Sequence, residues 1–192
     1  MLTRMHGDPI GGLRSDEGAR AFPNAHCITG AQEFAAWETT ADQGFETKLR
    51  PLAADMTPIE EGASIAPGLT GLAAYEHAPG HMVYWLESEG KSLWLAADFA
   101  NHYVWSRAYP DWEMRLAADK ATAAITRRRP SGLLAADHLP FIGYHRPWPR
   151  LGCVERHGTS YRYVAASYQL MLQIYGSVGN RLAQSPHARG IR

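Results

Sequence analysis

The chain has 192 residues with 19 acidic and 19 basic side chains, so its length favours one domain and its formal net charge is zero. A hydrophobic share of 45% against 20% charged residues is typical of a globular protein, and the charge balance predicts no nucleic-acid partner. No apolar run is long enough for a membrane span or a secretion signal, and Cys27 and Cys153 alone cannot form a disulfide framework, so we expect a cytoplasmic protein without a membrane partner.

The first third of the chain predicts one short helix. Residues 1–13 have an apolar start that runs into glycines, which indicates the end of a strand followed by a loop. Aromatic residues at helical spacing predict an amphipathic helix over Ala31–Glu38, in which we interpret Glu33 and Trp37 as structural. We interpret residues 39–57 as a loop with one helical turn.

Short strands and two hairpins are predicted further along the chain. Glycine- and proline-punctuated residues 58–75 indicate short strands with tight turns. Residues 82–86 and 93–98 flank a glycine-containing turn and predict a β-hairpin. Residues 154–156 and 161–164 predict a second hairpin.

A helix lies between the two predicted hairpins. We expect it to run over residues 117–129 with Asp119 as its cap, and Pro130 to interrupt it before residues 133–137 resume the pattern. A buried strand at 139–144 follows it. The mixture of helices and hairpins predicts an α+β layered domain.

Four segments place metal-type ligands beside strand ends or tight turns. They are residues 3–13, residues 77–81 with a histidine at each end, Asp98 at the end of a hairpin strand, and His145 after the strand at 139–144. Imidazole and carboxylate groups together suit zinc or a similar cation. Each segment alone is weak evidence, but the four in this order predict a metal site.

Together the four segments resemble the metallo-β-lactamase superfamily, in its lactonase- and esterase-like branch. Residues 3–13 follow the frame of that family's Thr-His-x-His-x-Asp-His-x-Gly-Gly-Leu motif. Residues 77–81 follow its Gly-His-Thr-Pro-Gly-His motif, with Ala78 in place of threonine. Asp98 matches the bridging aspartate and His145 the final histidine. The resemblance covers residues 1–170 as one domain and leaves residues 171–192 as a tail.

The resemblance implies an αβ/βα sandwich in which a metal-bound hydroxide attacks an ester, lactone or related bond of a small molecule. His6 and His81 would bind one metal ion, Asp8 and His145 a second, and Asp98 would bridge the two. Asp8 and Asp98 are the implied catalytic residues. The implied cofactor is zinc, as one or two ions, with manganese or iron as alternatives.

Two ligand positions depart from the family motif. Arg4 stands where the first histidine is expected, and an arginine stays protonated and cannot donate a lone pair. Pro9 stands at the last histidine and offers no side-chain ligand. Three ligands remain at each site, which is enough for one catalytic zinc. The site of Asp8, Asp98 and His145 is the better preserved of the two, because the other must also accommodate Arg4.

The chain also begins where the first motif begins. We therefore expect a truncated fold that lacks much of the first half-sheet, with open strand edges and apolar surface that favour association, including a homodimer. Pro130 is a third departure, because the family helix is uninterrupted there.

Three hypotheses follow from these observations. The leading hypothesis is a metal-dependent hydrolase of reduced activity that uses one zinc. The alternative is a non-catalytic domain of the same fold, in which Arg4 supplies the positive charge and either pairs with Asp98 or binds a small anion. A third hypothesis is a chain that does not fold stably alone.

Overall fold

A computed structural model describes residues 1–40, 42–75, 77–113 and 120–166 of the chain. The predicted start of the helix at residue 117, its cap Asp119 and the predicted tail at 171–192 lie outside these residues. Within the described ranges, no helix is long and apolar enough to cross a membrane.

Seven strands form the main sheet and lie in it in chain order. Neighbouring strands are antiparallel except β6 and β7, which are parallel. The strands are β3 (Ser64–Ala66), β4 (Leu69–Ala73), β5 (Met82–Ser88), β6 (Lys91–Ala97), β7 (Phe141–Gly143), β8 (Leu151–His157) and β9 (Ser160–Ala165). The β5–β6 and β8–β9 pairs are the two predicted hairpins.

The remaining strands and the helices surround this sheet. Strands β1 (Cys27–Gly30) and β2 (Met56–Ile59) form a separate parallel pair. The helices are α1 (Gly7–Ile10), α2 (Ala31–Glu38), a π-helix (Phe45–Leu49), a 3-10 helix (Arg50–Asp55), α3 (Trp105–Ala108) and α4 (Lys120–Ala136). Helix α2 has the predicted bounds, whereas residues 39–57 contain more helix than the single predicted turn. The α+β class is confirmed.

Apolar side chains form two clusters, one on each face of the main sheet. Val83 and Phe141 pack with Leu134 of α4 on one face. Side chains alternate along a strand, so Tyr84 points to the other face, where its hydroxyl donates to the carbonyl oxygen of Leu2 at 2.5 Å. That face carries the second cluster, which is Leu2, Met5, Ile10, Phe45, Leu49 and Met56.

Helix α4 continues through Pro130, so the predicted interruption is wrong. The buried hydroxyl of Ser131 donates to the carbonyl oxygen of Arg127 at 2.6 Å within the same turn. The Arg127 guanidinium donates to the carbonyl oxygen of Pro110 at 2.7 Å. The Arg107 guanidinium also donates to the Ser131 hydroxyl oxygen at 2.5 Å. One bond within the turn and two tertiary contacts thus hold the helix together despite the missing N–H group of the proline.

Residues 1–13 differ from the predicted strand end. Their short helix α1 contains Asp8 in an extended conformation. The N–H of Leu2 donates to the carbonyl oxygen of Ile28 at 2.7 Å, and the N–H of Met82 donates to that of Thr3 at 2.8 Å. The backbone before Arg4 is thereby fixed between β1 and β5.

Candidate functional site

The four ligand-bearing segments converge on Asp98, which follows β6 and has a fully buried side chain. His145 Nε2 lies 3.2 Å from Asp98 Oδ1. His77 Nε2 lies 3.8 Å from Asp98 Oδ2, and the Arg4 guanidinium contacts the same oxygen. The structure therefore brings all four segments into one cluster, as their order in the sequence predicts.

Arg4 lies at the centre of this cluster with only 1% of its surface exposed. Its Nη2 contacts both Asp98 Oδ2 and Asp8 Oδ1, the latter at 2.9 Å. Its Nε donates to His6 Nδ1 at 3.1 Å. A permanent positive charge is thus in direct contact with three of the residues that the family motif assigns to metal ions.

Of the two histidines in the second motif, His77 joins the cluster around Asp98. His77 Nε2 lies 3.1 Å from His6 Nδ1. His81, which the resemblance assigned to the first metal ion, is fully buried with its Nδ1 3.1 Å from the carbonyl oxygen of Ala74, and it lies near enough to Arg4, His77 and His6 for their charges to lower its pKa. Its Nε2 has no hydrogen-bond partner among the described residues. The resemblance assigned His81 alone as a ligand and did not single out His77, which is the histidine of this motif that approaches Asp98.

Burial and the charge of Arg4 keep these imidazoles neutral at neutral pH. Burial and then Arg4 lower the pKa of His77 to about 4 and that of His81 to about 3. Burial, followed by His77 and Arg4, also lowers the pKa of His6. Burial raises the pKa of Asp98, and the Arg4 charge opposes that rise. Arg4 is therefore the cation that balances the carboxylates of the cluster.

Glu33 holds the two histidine-bearing loops together. One of its carboxylate oxygens accepts hydrogen bonds from the Met5 N–H at 2.8 Å and from the Trp37 indole at 2.9 Å. The other accepts from the Gly80 N–H at 2.8 Å. A Cβ atom on Gly80 would lie 2.0 Å from the backbone nitrogen of Glu33, so only glycine fits there. Glu33 and Trp37 thus have the structural role predicted for them.

Arg146 fixes the loops that follow β6 and β7, and the sequence analysis missed it. Its side chain is buried and donates to the carbonyl oxygens of Phe99 and Ala100, both at 2.9 Å. Ala97, Ala100 and His145 have positive φ angles of 44°, 47° and 55°. Non-glycine residues in this strained conformation concentrate at functional sites. The one sequence signal for Arg146 is its position directly after His145.

The donor set does not fit a two-metal centre. Arg4 and Pro9 replace two histidines of the motif. The guanidinium of Arg4 is in contact with Asp8, Asp98 and His6. Within the described part of the chain, no group of three or more His, Cys, Asp or Glu residues is arranged so that it could hold a metal ion. A dication beside Asp98 would also be repelled by the Arg4 charge. The assignments of His6, Asp8, His81, Asp98 and His145 as ligands, and of the two aspartates as catalytic, stay predictions.

Comparison with solved structures finds metal-dependent hydrolases. One match is AidC, a dizinc quorum-quenching lactonase, with a TM-score of 0.76 and 20% identity over 87% of this chain and 63% of that one. Another is the hydrolase AbOPH of the β-lactamase superfamily, with a TM-score of 0.78 and 21% identity over the same shares. A third is a probable metal-dependent hydrolase from Staphylococcus aureus, with a TM-score of 0.69 and 17% identity over 86% of this chain and 61% of that one.

These similarities establish the fold. The chain spans less than two thirds of the length of each of these three structures. No protein-family model matches the sequence, and no curated protein matches it significantly. The lactonase and hydrolase activities therefore belong to the similar structures.

Proposed function

This chain has the fold of the metallo-β-lactamase superfamily, as its motifs predict, and we propose that it is a non-catalytic member in which Arg4 replaces the metal ions. The observation that carries this proposal is the buried guanidinium in contact with Asp98, Asp8 and His6. Of the two roles stated for Arg4, its contact with Asp98 supports pairing with that carboxylate over binding of a small anion.

The chemistry of a guanidinium supports this proposal. Hydrolysis in this fold needs a cation that binds water, lowers its pKa toward neutrality and polarises the bond to be cleaved. An arginine side chain has no open coordination position, and it stays protonated in proteins. It supplies charge and hydrogen-bond donors, which is enough to hold the carboxylates in place. Arg4 thus keeps the architecture of the site without its hydrolytic chemistry.

A zinc-dependent ester or lactone hydrolase is the second candidate. The observation in its favour is that His77 and His145 both approach the carboxylate of Asp98. One zinc ion held there by three ligands would suffice for catalysis. This function requires that the Arg4 side chain leave Asp98, so the two candidates make opposite predictions for metal retention.

Metal content separates the two candidates. The chain is dialysed against zinc, then against metal-free buffer, and its zinc is measured by plasma mass spectrometry alongside thermal melting with zinc and with a chelator. We expect no retained zinc, a melting temperature that neither addition changes, and no hydrolysis of lactones or esters. About one tightly held ion per chain, with activity that Asp98→Asn abolishes, would instead establish the hydrolase.

A matched variant shows that the assay detects a restored site. Arg4→His combined with Pro9→His returns both missing imidazoles and removes the competing charge. We expect this variant to retain zinc that the natural chain does not. Equal zinc retention by the natural chain and the variant would contradict the role of Arg4.

A further inference from the structure

The face of the main sheet opposite helix α4 carries an apolar groove of about 720 Å³. Leu86 lies on the same face as Tyr84, because side chains alternate along a strand, and its cross-strand partner Leu93 lies beside it. Ile142 and Leu151, which are partners across β7 and β8, line the same groove. These leucine and isoleucine side chains stay partly exposed, so the described residues leave this part of the sheet uncovered.

The last described residue, Ala166, lies in the wall of this groove. Its N–H donates to the carbonyl oxygen of Leu151 at 2.8 Å, and Ala166 is only 9% exposed. The residues that follow are therefore joined directly to the groove wall. Nine residues span about 13 Å as a helix and about 30 Å as an extended chain, which is enough to cross a groove of this volume.

The sequence of residues 167–175 suits an apolar groove. It contains no charged residue, and its apolar and aromatic side chains recur at the i, i+3, i+4 and i+7 spacing of an amphipathic helix. Gln169 and Gln173 are four residues apart, so the same pattern places both on the opposite side. Gly176 follows directly, as is typical after the end of a helix. The apolar positions are Tyr168, Leu170, Met171, Leu172, Ile174 and Tyr175.

We propose that residues 167–175 of this chain cover the groove and bury their apolar side chains against Leu86, Leu93 and Ile142. Because the segment is joined to the groove wall at Ala166, its local concentration there is roughly millimolar or higher, which favours it over a second copy of the chain. None of the residues in contact with Arg4 lines the groove, so this proposal does not depend on the function proposed for the Arg4 cluster.

Disulfide formation in the full chain tests the proximity. The natural thiols are first removed by Cys27→Ser and Cys153→Ala, and Leu93→Cys is then combined with Leu172→Cys. We expect mild oxidation of the dilute protein to form a disulfide within one chain, which non-reducing electrophoresis and intact mass both detect. Leu69→Cys, which also places a thiol in the groove wall, is the second position if Leu93→Cys lowers the yield of folded chain.

A matched thiol on the polar side of the segment is the control. Gln173→Cys replaces Leu172→Cys in the same background and moves the thiol by one residue. Adjacent helical residues do not face the same way, so we expect this disulfide to form about tenfold more slowly.

A charge in the segment tests whether the groove is covered. We expect Leu172→Asp to raise the fluorescence of added anilinonaphthalene sulfonate about threefold, because the dye binds exposed apolar surface. Gln173→Asp introduces the same charge at a polar position and should leave the fluorescence unchanged. Circular dichroism of both variants checks that the sheet stays folded.

Three results would overturn the proposal. Equal rates of disulfide formation from positions 172 and 173 would show that the segment presents no particular side to the groove. Disulfides that form only between chains, at a rate that rises with protein concentration, would mean that a second copy covers it. A folded chain that forms neither kind of disulfide would mean that residues 167–175 lie elsewhere.

Discussion

Arg4 and Asp98 form a buried ion pair. Such a pair contributes little net stability as a whole, but the loss of one partner strongly destabilises the folded state. Transferring both charges out of water costs free energy that their mutual attraction largely offsets. Removing one partner leaves the other charge buried and uncompensated. The imidazoles of His77 and His145 lie beside Asp98, but burial and Arg4 lower the pKa of His77 to about 4, so it is neutral at neutral pH. Asp98 therefore depends on Arg4.

We expect Arg4→Met to lower the free energy of unfolding by about 3 kcal/mol at pH 7, because it leaves the Asp98 carboxylate without its cation. Urea unfolding followed by circular dichroism measures this loss. Arg162→Met is the control, since Arg162 pairs with Glu155 at the surface and should contribute less than about 1 kcal/mol. Similar losses in the two variants would show that the buried pair contributes no more to the free energy of unfolding than the surface pair does.

The buried histidines make stability depend on pH. The pKa values of His77 and His81 are about 4 and about 3 in the folded chain, below the value of about 6.5 in an unfolded one. The unfolded chain thus binds protons first, and stability falls as pH drops below about 6.5 toward those folded values.

We expect the free energy of unfolding to fall by about 2 kcal/mol between pH 7 and pH 5.5, as both histidines charge only on unfolding. Urea titrations at each pH measure this slope. His77→Asn should reduce the slope by about half, whereas His26→Asn, at an exposed position, should not. A free energy that stays constant over this interval would contradict the burial of the two imidazoles.

At the scale of elements, the β5–β6 hairpin shows how a local conformation constrains its residues. Its two-residue turn consists of Glu89 and Gly90, with φ angles of 50° and 71°. Both values are in the left-handed region, which a two-residue hairpin turn of this kind requires. Glycine adopts this region freely, whereas glutamate is strained in it and asparagine is much less so.

We expect Glu89→Asn to raise the free energy of unfolding by about 0.5–1 kcal/mol, because asparagine tolerates the left-handed conformation of the turn. Thermal and urea unfolding both measure the gain. Glu87→Asn is the control, since Glu87 lies in the extended strand opposite Ser92, where asparagine gives no advantage. An equal change in both variants would mean that the turn is not the cause.

Elements with a strong local signal could be predicted from the sequence, and those set by tertiary contacts could not. Helix α2 and the β5–β6 hairpin follow from periodicity and turn residues. Pro130 is a strong local signal against a helix, yet α4 stays intact because Arg127 bonds to the Pro110 carbonyl and Ser131 accepts from Arg107, and only the folded chain provides these contacts.

The candidate site shows the same division. The order of motifs predicts that Asp98 and His145 meet, because strand ends are brought together by the fold. It assigned His81 as a ligand and did not predict that His77 approaches Asp98, because the motif does not fix how the backbone between the two histidines turns. The contacts of Arg146 with loop carbonyls were also beyond prediction, because an exposed and a buried arginine look alike in a sequence.

At the scale of the molecule, the described residues cover the two faces of the main sheet unequally. Helix α4 covers one face, and the apolar cluster that includes Leu2, Phe45 and Met56 covers part of the other. Beyond that cluster a groove of about 720 Å³ is lined by Leu86, Leu93 and Ile142. This groove adds apolar surface to that face of the sheet. The association that the sequence predicts from such surface stays a prediction.

The position of Arg4 beside Asp98 bears on whether this protein needs free metal ions in solution. A metal ion must be acquired from solution, whereas a guanidinium that belongs to the chain is present at an effective concentration of roughly millimolar or higher. Under the function proposed above, zinc must compete at Asp98 with a side chain of the same chain, and we expect a rise in free zinc not to displace it. On that proposal the site is complete as soon as the chain folds, so we expect scarcity of metal to leave the folded fraction of this protein unchanged.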